Sequence, residues 1–366
     1  MRTRAAVAEA IGAPLAIREL ELDELRADEV RVRMVASGVC HTDAVVRGGM
    51  IPTPLPAVLG HEGAGVVEEV GAEVTRVRPG DHVVLSSNSC GRCAECLRGE
   101  QAYCEDLFGR NFAARRPDGS TWLSADGTSI GSGFFGQSSF SAVSNVAERS
   151  IVKVDPDVDL SIVAPLGCGI NTGAGTVLNE FRPGAGATLA VFGTGAVGLA
   201  AVMAARTTAT TRIIAVDVVP QRLELARELG ATDTLDGADP ELAEQLKSLT
   251  GGHGLDFALD TTARPSTLRV AVDALAVRGV AAEVGSAHAG TEVALETGAS
   301  LNKGWTVKTV IQGSSVPQVF IPALIELWRQ GRFPFDRLIS HYPFAAIEEA
   351  FDDSAKGVAI KPVVVF

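Results

Sequence analysis

One glycine-rich segment limits the possible folds of this chain more than any other feature. Residues 193–198, Gly-Thr-Gly-Ala-Val-Gly, follow a short apolar run typical of a strand, and an alanine-rich run typical of a helix begins at Ala196. In this setting the spacing G-x-G-x-x-G is the fingerprint of a dinucleotide-binding βαβ unit. The segment therefore predicts a parallel, doubly wound sheet covered by helices on both faces.

Each residue of the fingerprint has its own expected role. Gly193 permits the tight turn, Gly195 lets the backbone approach a pyrophosphate, and Gly198 lets helix and strand pack closely. Asp217 ends the next predicted strand, where its carboxylate would accept hydrogen bonds from an adenosine ribose and repel a 2′-phosphate. We therefore predict that this site binds NAD rather than NADP. The alternative is a glycine-rich turn in an unrelated α/β protein.

The distribution of strands and helices divides the chain into two predicted domains. Residues 1–155 contain short β-type runs separated by Gly and Pro, which favours a β-rich domain. Strands alternate with helices over residues 156–330, as a doubly wound sheet requires. The tail 331–366 ends in a short apolar strand, and we expect this strand to return to the first domain.

Composition excludes several classes of protein. The 366 residues include 32 Lys and Arg against 44 Asp and Glu, for a formal net charge of −12. A chain this acidic, without a basic block, is a poor partner for nucleic acid or for an anionic membrane surface. It has no apolar stretch long enough to span a bilayer. Its six cysteines are too few and too clustered for a disulfide scaffold, which favours a reducing, cytoplasmic location.

Four of the cysteines form a dense cluster. Their spacing is Cys90-x2-Cys93-x2-Cys96-x7-Cys104. Thiolates spaced in this way can share one tetrahedral Zn²⁺, and four thiolates leave no position open for a substrate. The cluster therefore predicts a structural zinc site. An iron–sulfur cluster and a set of free buried thiols are the alternatives.

A second group of residues predicts a metal site of a different kind. Cys40, His61 and Cys168 all follow apolar segments. Two thiolates and one imidazole would leave the fourth position of a zinc ion open, which is the arrangement of a catalytic site. The spacing of this trio is weak evidence by itself, because cysteines are often simply buried apolar residues.

The order of these motifs resembles that of a known family. Gly60-His61-Glu62-x2-Gly65-x5-Gly71-x2-Val74 is similar to the signature of zinc-dependent medium-chain alcohol dehydrogenases. The Cys40 segment, the four-cysteine cluster, Cys168 and the fingerprint follow that family's order over essentially the whole chain. A closer likeness, to bacterial aryl-alcohol (benzyl alcohol) dehydrogenases, is carried by residues 38–43, 134–140 and 167–175.

The resemblance implies a fold and the roles of the metal-site residues. It implies a GroES-like β-barrel catalytic domain at 1–155 and 331–366 and a Rossmann NAD-binding domain at 156–330. The chain would bind two zinc ions, a structural one at the cysteine cluster and a catalytic one at Cys40, His61 and Cys168. Glu62 would lie beside the catalytic metal and could ligate it transiently.

The resemblance also implies roles in proton transfer and cofactor binding. Thr42 would take the proton from the alcohol, and Asp43 would orient His61. Many relatives carry a histidine three residues after the Thr42 position to end a proton relay, but here that residue is Val45, which cannot carry a proton. Contacts to the cofactor are implied for His41 and Lys361 at the pyrophosphate and for Arg222 near the adenosine ribose.

The activity implied by the resemblance is oxidation of a primary aromatic or allylic alcohol to its aldehyde, with zinc and NAD. One alternative is an aldehyde reductase for terpenoid or aliphatic substrates. Another is a cofactor-binding regulator without turnover, which would have no reason to keep an open zinc site. A homo-oligomer is expected from the resemblance alone. Candidates for the substrate pocket, which are equally typical of a core, are Phe134, Phe135, Phe140 and Trp122.

Overall fold

The structure, a computed structural model, describes residues 1–366 apart from the side chain of Ala299. The strands are β1 Arg2–Ala8, β2 Leu15–Leu22, β3 Glu29–Gly38, β4 Ala57–Val58, β5 Gly63–Val70, β6 His82–Leu85, β7 Leu123–Ala125, β8 Thr128–Ile130, β9 Val143–Ala147, β10 Ile151–Val154, β11 Thr188–Phe192, β12 Arg212–Asp217, β13 Asp233–Asp236, β14 Leu255–Asp260, β15 Leu275–Glu283, β16 Thr306–Thr309, β17 Ile339–Pro343 and β18 Lys361–Val365.

The helices connect these strands and cover them. They are α1 His41–Arg47, α2 Ala94–Leu97, α3 Leu107–Asn111, α4 Leu160–Val163, α5 Gly169–Gly175, α6 Ala196–Arg206, α7 Pro220–Leu229, α8 Leu242–Leu249, α9 Pro265–Asp273, α10 Thr297–Lys303, α11 Pro317–Arg329 and α12 Ile347–Lys356. A π-helical turn, Thr176–Phe181, directly follows α5.

The chain divides into two units. Unit 1 comprises Met1–Cys168, Val316–Ile325 and Asp336–Phe366, and unit 2 comprises Gly169–Ser315 and Glu326–Phe335. The sequence predicted a first boundary at residue 155, whereas unit 1 continues to Cys168. The reason is that α4 packs against β3, β5 and β6 of unit 1.

The α11 helix also differs from the predicted domain assignment. The sequence placed all of it in the second domain, but its first part belongs to unit 1. There the side-chain amide of Gln318 donates hydrogen bonds to the backbone oxygens of Arg149 and Ile151.

Unit 1 is built from two sheets. One has the strand order β4-β1-β2-β7-β8, and the other has the order β10-β6-β5-β3-β18-β17, with β9 also paired to β3. In β2 the side chains of Leu20 and Leu22 are buried while Glu19 and Glu21 are exposed, as expected for a strand with one face on a core. The C-terminal strand β18 pairs antiparallel with β3, as the sequence predicted.

Unit 2 contains a six-stranded parallel sheet of order β13-β12-β11-β14-β15-β16. Its central strand β11 is buried from Leu189 to Phe192, because helices cover both faces of a doubly wound sheet. From β11 the chain adds β12 and β13 on one side and then β14, β15 and β16 on the other, so the strand order switches sides between β11 and β14. Ligands of such sheets bind at the carboxyl ends of the strands near this switch point. The predicted fold class is thereby confirmed.

The structure also bears on membrane insertion. Among the described residues, no single helix has the length and apolarity needed to cross a bilayer. The consecutive helical stretches Leu160–Gly167 and Gly169–Phe181 meet that requirement only when they are counted together.

Candidate active site

Four side chains from distant parts of unit 1 form a compact group of metal-ligand type. Cys40, His61, Glu62 and Cys168 each place one ligand atom within 4.8 Å of the others. Cys40 caps the N-terminus of α1, His61 and Glu62 directly precede β5, and Cys168 follows a short 3-10 turn. The structure therefore brings together the trio that the sequence proposed as zinc ligands, with Glu62 beside them.

The imidazole of His61 provides a test of whether this group suits a metal. Its Nδ1 lies 2.9 Å from Oδ1 of Asp43, so that Nδ1–H donates to the carboxylate. Its Nε2 is buried and has no hydrogen-bond partner. A buried polar atom without a partner is costly, and its position beside two thiols is that of a metal ligand. The residues therefore fit a zinc ion.

Asp43 connects the two loops that carry the metal-ligand group. Its carboxylate also accepts hydrogen bonds from the backbone N–H of Cys40 and of Gly60, both at 3.1 Å. The hydroxyl oxygen of Thr42 lies 3.9 Å from Sγ of Cys40, which places it next to the group. A hydrogen bond from the Cys168 thiol lowers the pKa of Cys40 well below its usual value, against the effect of burial.

Glu62 forms a buried ion pair with Lys361. The Nζ of Lys361 lies 3.0 and 2.9 Å from the two carboxylate oxygens and donates a third hydrogen bond to the backbone oxygen of Val39. Burial raises the pKa of Glu62 to about 7, although the charge of Lys361 opposes the shift. The resemblance implied that Lys361 contacts a pyrophosphate, whereas in the structure its ammonium group is hydrogen-bonded to Glu62, a member of the metal-ligand group. Glu62 and Lys361 lie far apart in the chain, so no sequence signal indicated this pair.

Two of the four candidate pocket aromatics pack on His61. The ring of Phe135 stacks on the imidazole at a centroid distance of 4.5 Å, and Phe134 meets its edge at 5.6 Å. Phe135 has a φ of +53°, a left-handed conformation that is strained for a bulky residue. All four candidates are buried in one apolar core of unit 1, where Phe140 packs on Phe351 and Trp122 lies under the guanidinium of Arg116.

The aromatic contacts continue away from His61 through residues that the sequence analysis missed. Phe112 meets the ring of Phe135 at 5.1 Å, and Phe108 stacks on Phe112 at 5.2 Å. Phe108 is about half exposed and lines an apolar hollow of about 590 Å³ together with Ile11 and Ile51. Phe108 and Phe112 are four residues apart, in and just after α3, and this spacing was the sequence signal that could have indicated their contact.

The remaining candidates on α1 occupy different environments. His41 is its first residue and is exposed, so its side chain is accessible. Val45 is buried, and its side chain has no group that could carry a proton.

The four-cysteine cluster forms a second group of metal-ligand type. The sulfur atoms of Cys90, Cys93, Cys96 and Cys104 all lie within 4.8 Å of one another. Backbone N–H groups point at the sulfurs, as in the 3.2 Å contact from Cys90 to Cys104 and the 3.3 Å contact from Cys93 to Cys90. Such hydrogen bonds, first that from Arg92, lower the pKa of Cys90 to about 6. Four converging thiols of this kind suit one closed zinc site.

In unit 2 the fingerprint glycines adopt the geometry that their roles require. Gly193 has a φ of +87°, and a Cβ on Gly198 would lie 1.9 Å from the oxygen of Gly193, so only glycine permits this packing. A Cβ on Gly195, at the N-terminus of α6, would meet no atom within 4 Å. The backbone beside Gly195 therefore has open space at a helix N-terminus, where a pyrophosphate binds.

Asp217 lies in the cleft beside this turn. Its Oδ2 accepts hydrogen bonds from the backbone N–H and the hydroxyl of Thr194, and its Oδ1 accepts one from the N–H of Val219. The cleft has a volume of about 410 Å³, and Arg222 also lines it. The arrangement suits an adenosine ribose, since the carboxylate faces the cleft beside the fingerprint turn.

The cleft contains further residues that the sequence analysis did not name. Thr262 and Arg264 line it, and both follow the carboxyl end of β14. Because β14 is the neighbour of β11 in the sheet, residues after it belong to the same edge as the fingerprint. The rule that ligands bind at that edge was the available signal.

Comparison with known proteins identifies the family of this chain. Residues 26–156 match the model of the alcohol dehydrogenase GroES-like domain, and residues 196–329 match that of the zinc-binding dehydrogenases. The chain belongs to the zinc-dependent medium-chain alcohol dehydrogenase family, and it is an oxidoreductase of that family.

Individual relatives show how far this likeness extends. The chain is 43% identical to the geraniol dehydrogenase of Castellaniella defragrans, over 99% of this chain and 97% of the relative. It is 37% identical to the class-3 alcohol dehydrogenase of Myxine glutinosa, with the same coverage. The crystal structure of benzyl alcohol dehydrogenase from Acinetobacter calcoaceticus superposes with a TM-score of 0.97 at 42% identity, covering 100% of this chain and 99% of that one.

Proposed function

We propose that this enzyme oxidises a primary alcohol whose hydroxyl-bearing carbon adjoins an aromatic ring or a double bond, with NAD as the hydride acceptor. The observation that carries this proposal is the packing of an aromatic ring, that of Phe135, on the candidate metal ligand His61. Phe135, which is 6% exposed, stacks on His61, so a flat unsaturated group beside the metal would find aromatic surface. The relatives named for geraniol and benzyl alcohol support the same substrate class.

Two zinc sites per chain are part of the proposal. Cys40, His61 and Cys168 would hold the catalytic ion, and the four-cysteine cluster would hold the structural ion. When bound at the first site, zinc supplies a Lewis acid that lowers the pKa of the alcohol. Asp43 fixes the orientation of His61, and the hydroxyl of Thr42, beside Cys40, is placed to accept the alcohol's proton and pass it on.

The preference for NAD over NADP also remains a proposal. NAD would supply the hydride-accepting ring. The open backbone at Gly195 suits its pyrophosphate, and the carboxylate of Asp217 would repel a 2′-phosphate. His41 and Arg222 are proposed as further cofactor contacts, at the pyrophosphate and the adenosine ribose, respectively. Lys361 would reach the pyrophosphate only by sharing the bonds it makes with Glu62.

A terpenoid or aliphatic substrate is a second candidate, favoured by one specific feature. The aromatic contacts lead from His61 to the apolar hollow at Phe108, Ile11 and Ile51, which is large enough for a branched hydrocarbon tail. Reduction of the corresponding aldehyde would use the same site in reverse.

Initial rates with NAD and a panel of alcohols test these proposals. We expect higher kcat/KM for benzyl, cinnamyl and geranyl alcohols than for saturated alcohols of equal length. Substituting Phe108→Ala should lower kcat/KM for geraniol and leave that for benzyl alcohol unchanged if the hollow holds the tail. Equal rates for saturated and unsaturated alcohols would contradict the substrate class, and a complete lack of NADH formation would favour a non-catalytic regulator.

We further propose a homo-oligomer in the cytoplasm. Strand β16 is at the end of the order in the unit 2 sheet, so one of its edges has no partner strand among the described residues. The unpaired backbone groups of such an edge can pair with a strand of another chain. A cytoplasmic location suits the cysteines of both metal-ligand groups, which form no disulfides. Light scattering of the purified protein tests the oligomeric state, and a monomer at micromolar concentration would contradict it.

A further inference from the structure

One buried amide side chain in unit 1 joins backbone segments around the metal-ligand group. Gln137 is fully buried. Its Oε1 accepts a hydrogen bond from the backbone N–H of Gly63 at 3.1 Å, and its Nε2 donates to the backbone oxygens of His61 at 2.9 Å and Ser86 at 3.1 Å. Exchanging the oxygen and the nitrogen of the amide would set donor against donor and acceptor against acceptor, so the side chain has a single orientation.

Ser86 extends this link to the segment that carries Cys168. Its hydroxyl, which is also buried, donates a 2.7 Å hydrogen bond to the backbone oxygen of Gly167, the residue before Cys168. Gly167 lies close against the end of β6, because a Cβ there would be 2.1 Å from the oxygen of Leu85. A chain of hydrogen bonds thus leads from the amide of Gln137 through Ser86 to the residue before Cys168.

Two buried side chains therefore join the three segments that supply the proposed zinc ligands. Asp43 joins the segment of Cys40 to that of His61, through the backbone and imidazole contacts described above. Gln137 joins the segment of His61 to that of Cys168 by way of the serine hydroxyl. Because a tetrahedral metal requires its ligands at set distances, such links arrange the ligands before a metal binds.

The loop that carries Gln137 is itself fixed by hydrogen bonds. Phe135 and Ser138 have φ angles of +53° and +52°, in a left-handed region that is disfavoured for residues with a Cβ. The hydroxyl of Ser138 donates to the backbone oxygen of Val58 at 2.6 Å, and that of Ser150 donates to the oxygen of Phe135 at 3.0 Å. Strained residues of this kind persist only where the surrounding structure fixes them, and they concentrate at functional sites.

The same loop lies directly against the segment of His61. The backbone N–H of Ser139 donates to the oxygen of Gly60 at 2.9 Å, and that of Phe140 donates to the oxygen of Leu59 at 3.1 Å. Gly60 has a φ of +87°, and a Cβ there would lie 2.5 Å from the nitrogen of Phe140. This close contact leaves the backbone before His61 little freedom to shift relative to the loop.

We infer that Gln137 is a positioning residue of the catalytic metal site, which sets the spacing of His61 and Cys168 through their backbones. It acts on the segments that carry the ligands and does not itself touch the metal. This inference rests on the proposed function, since it takes zinc at Cys40, His61 and Cys168. Ligands that are already arranged need not be ordered when the metal binds, so the arranged site holds its metal more tightly and loses it more slowly.

Release of zinc to the coloured chelator pyridylazoresorcinol tests this role in the zinc-loaded protein. We expect a fast phase from the open site and a slow phase from the closed four-cysteine cluster. Gln137→Glu keeps the size of the side chain and the bond from Gly63, but it points a second oxygen at the backbone oxygens of His61 and Ser86. The fast phase should become about 10-fold faster, and the slow phase should keep its rate.

Cobalt at the open site gives a readout that a loss of stability alone would not change. The visible absorption of Co²⁺ depends on the geometry of its ligands. In protein with Co²⁺ exchanged into the open site, we expect the visible bands of Gln137→Glu to differ in position from those of the wild type, because His61 and Cys168 are no longer held at the same spacing.

Two further variants complete the experiment. Ser86→Ala removes only the bond to Gly167, so it should accelerate the fast phase less, and it carries the test if Gln137→Glu does not fold. Asn111→Asp is the matched control, because Asn111 is equally buried in unit 1 and its amide likewise accepts one backbone hydrogen bond and donates two. The control should lower Tm about as much as Gln137→Glu does, and it should leave the fast phase and the cobalt bands unchanged.

The outcomes separate this inference from the proposed function. Wild-type release rates and cobalt bands in both Gln137→Glu and Ser86→Ala would overturn the inference. Equal acceleration of both phases, or the same acceleration of the fast phase in Asn111→Asp, would show a merely structural role and overturn it as well. Wild-type protein that holds zinc only at the four-cysteine cluster would instead remove the open zinc site of the proposed function, and with it any role of Gln137 there.

Discussion

At the scale of single residues, the proposed preference for NAD rests on Asp217. Its carboxylate is held in place by three hydrogen bonds from Thr194 and Val219, so it cannot easily turn away from a bound ribose. We expect the pair Asp217→Ser with Val218→Arg to shift the kcat/KM ratio toward NADP by about 100-fold, or about 2.7 kcal/mol. Val218→Arg alone is the control and should shift the ratio less. Wild-type preference for NADP would contradict the proposed role of Asp217.

In the proposed function the proton passes through Thr42, and Val45, three positions later, has no group that could carry it further. Thr42→Val should nearly abolish turnover, because the nearest hydroxyl to Cys40 is lost, while Thr42→Ser should be tolerated. Val45→His would install a base at a buried position next in the relay. A positioned base contributes roughly 10²–10⁴-fold when proton transfer limits the rate, but cofactor release often limits kcat.

The pre-steady-state burst of NADH below neutral pH is the measurement that isolates this step. We expect added buffer bases to accelerate the burst of the wild type and to have less effect on Val45→His. A wild-type burst rate in Thr42→Val would exclude Thr42 from the path. A burst that never responds to buffer would mean that another protein group, such as the exposed His41, carries the proton out.

At residue scale, glycines were easier to predict from the sequence than the polar contacts were. Gly193 has a positive φ and Gly198 has no room for a Cβ, and the spacing of the three fingerprint glycines indicated both the turn and its ligand. Gln312 and Ser314 also have positive φ angles, of +51° and +47°, but no sequence signal indicated them, since residues with a Cβ rarely adopt that conformation. The pair of Glu62 and Lys361 joins residues from distant strands, and only the folded chain brings them together.

At the scale of elements, the two metal-ligand groups should respond differently to loss of metal. The four-cysteine cluster forms a loop around α2 with every ligand position filled, whereas the group at Cys40 would leave one position open. We expect a small chelator to remove activity before it changes far-ultraviolet circular dichroism or Tm. Elemental analysis should find two zinc ions per chain in the untreated protein.

A matched pair of substitutions tests which metal-ligand group supports activity and which supports stability. Cys168→Ser and Cys104→Ser should each remove about one zinc ion per chain, since each takes one thiolate from a different group. Cys168→Ser should abolish activity with little change in Tm, and Cys104→Ser should lower Tm. A protein that contains about one zinc ion and is fully active would contradict the two-site proposal.

The boundaries of regular elements followed from sequence better than their assignment to units did. The sequence predicts a helix over Pro220–Leu229, and the structure has a helix with the same ends, because Pro220 suits the first turn and Gly230 follows the last. The sequence also predicts a closing helix over residues 317–330, where the structure has α11, but it does not indicate that the first part of this helix belongs to unit 1. That choice depends on tertiary contacts, such as those of Gln318 with Arg149, which no local pattern contains.

At the scale of the whole molecule, the two units have separate hydrophobic cores. One core of unit 2 surrounds Phe192, Ile214 and Leu255, while the cores of unit 1 include Phe140 and Val83. The change from β-type runs to alternating strands and helices indicated this division in the sequence. A β-rich domain and a parallel sheet covered by helices bury their apolar side chains against different elements, so each needs its own core. Each unit also contains its own candidate site, the two groups of metal-ligand type in unit 1 and the cleft beside the fingerprint turn in unit 2.

This separation predicts where ligands will protect the chain from hydrogen exchange. A ligand that binds only the folded state stabilises it by RT ln(1 + [L]/Kd), or about 2.7 kcal/mol at 100 times Kd. With NAD at that concentration, we expect amides at Gly193–Gly198 and in β12 to exchange up to about 100-fold more slowly, because these elements surround the adenosine cleft. Amides of the four-cysteine cluster should keep their rates with NAD, and they should exchange faster only after that cluster loses its metal. ADP-ribose serves as the control and should protect the same segments of unit 2. Protection by NAD that is strongest in the β-sheets of unit 1 would contradict the placement of the cofactor site at the carboxyl edge of the parallel sheet.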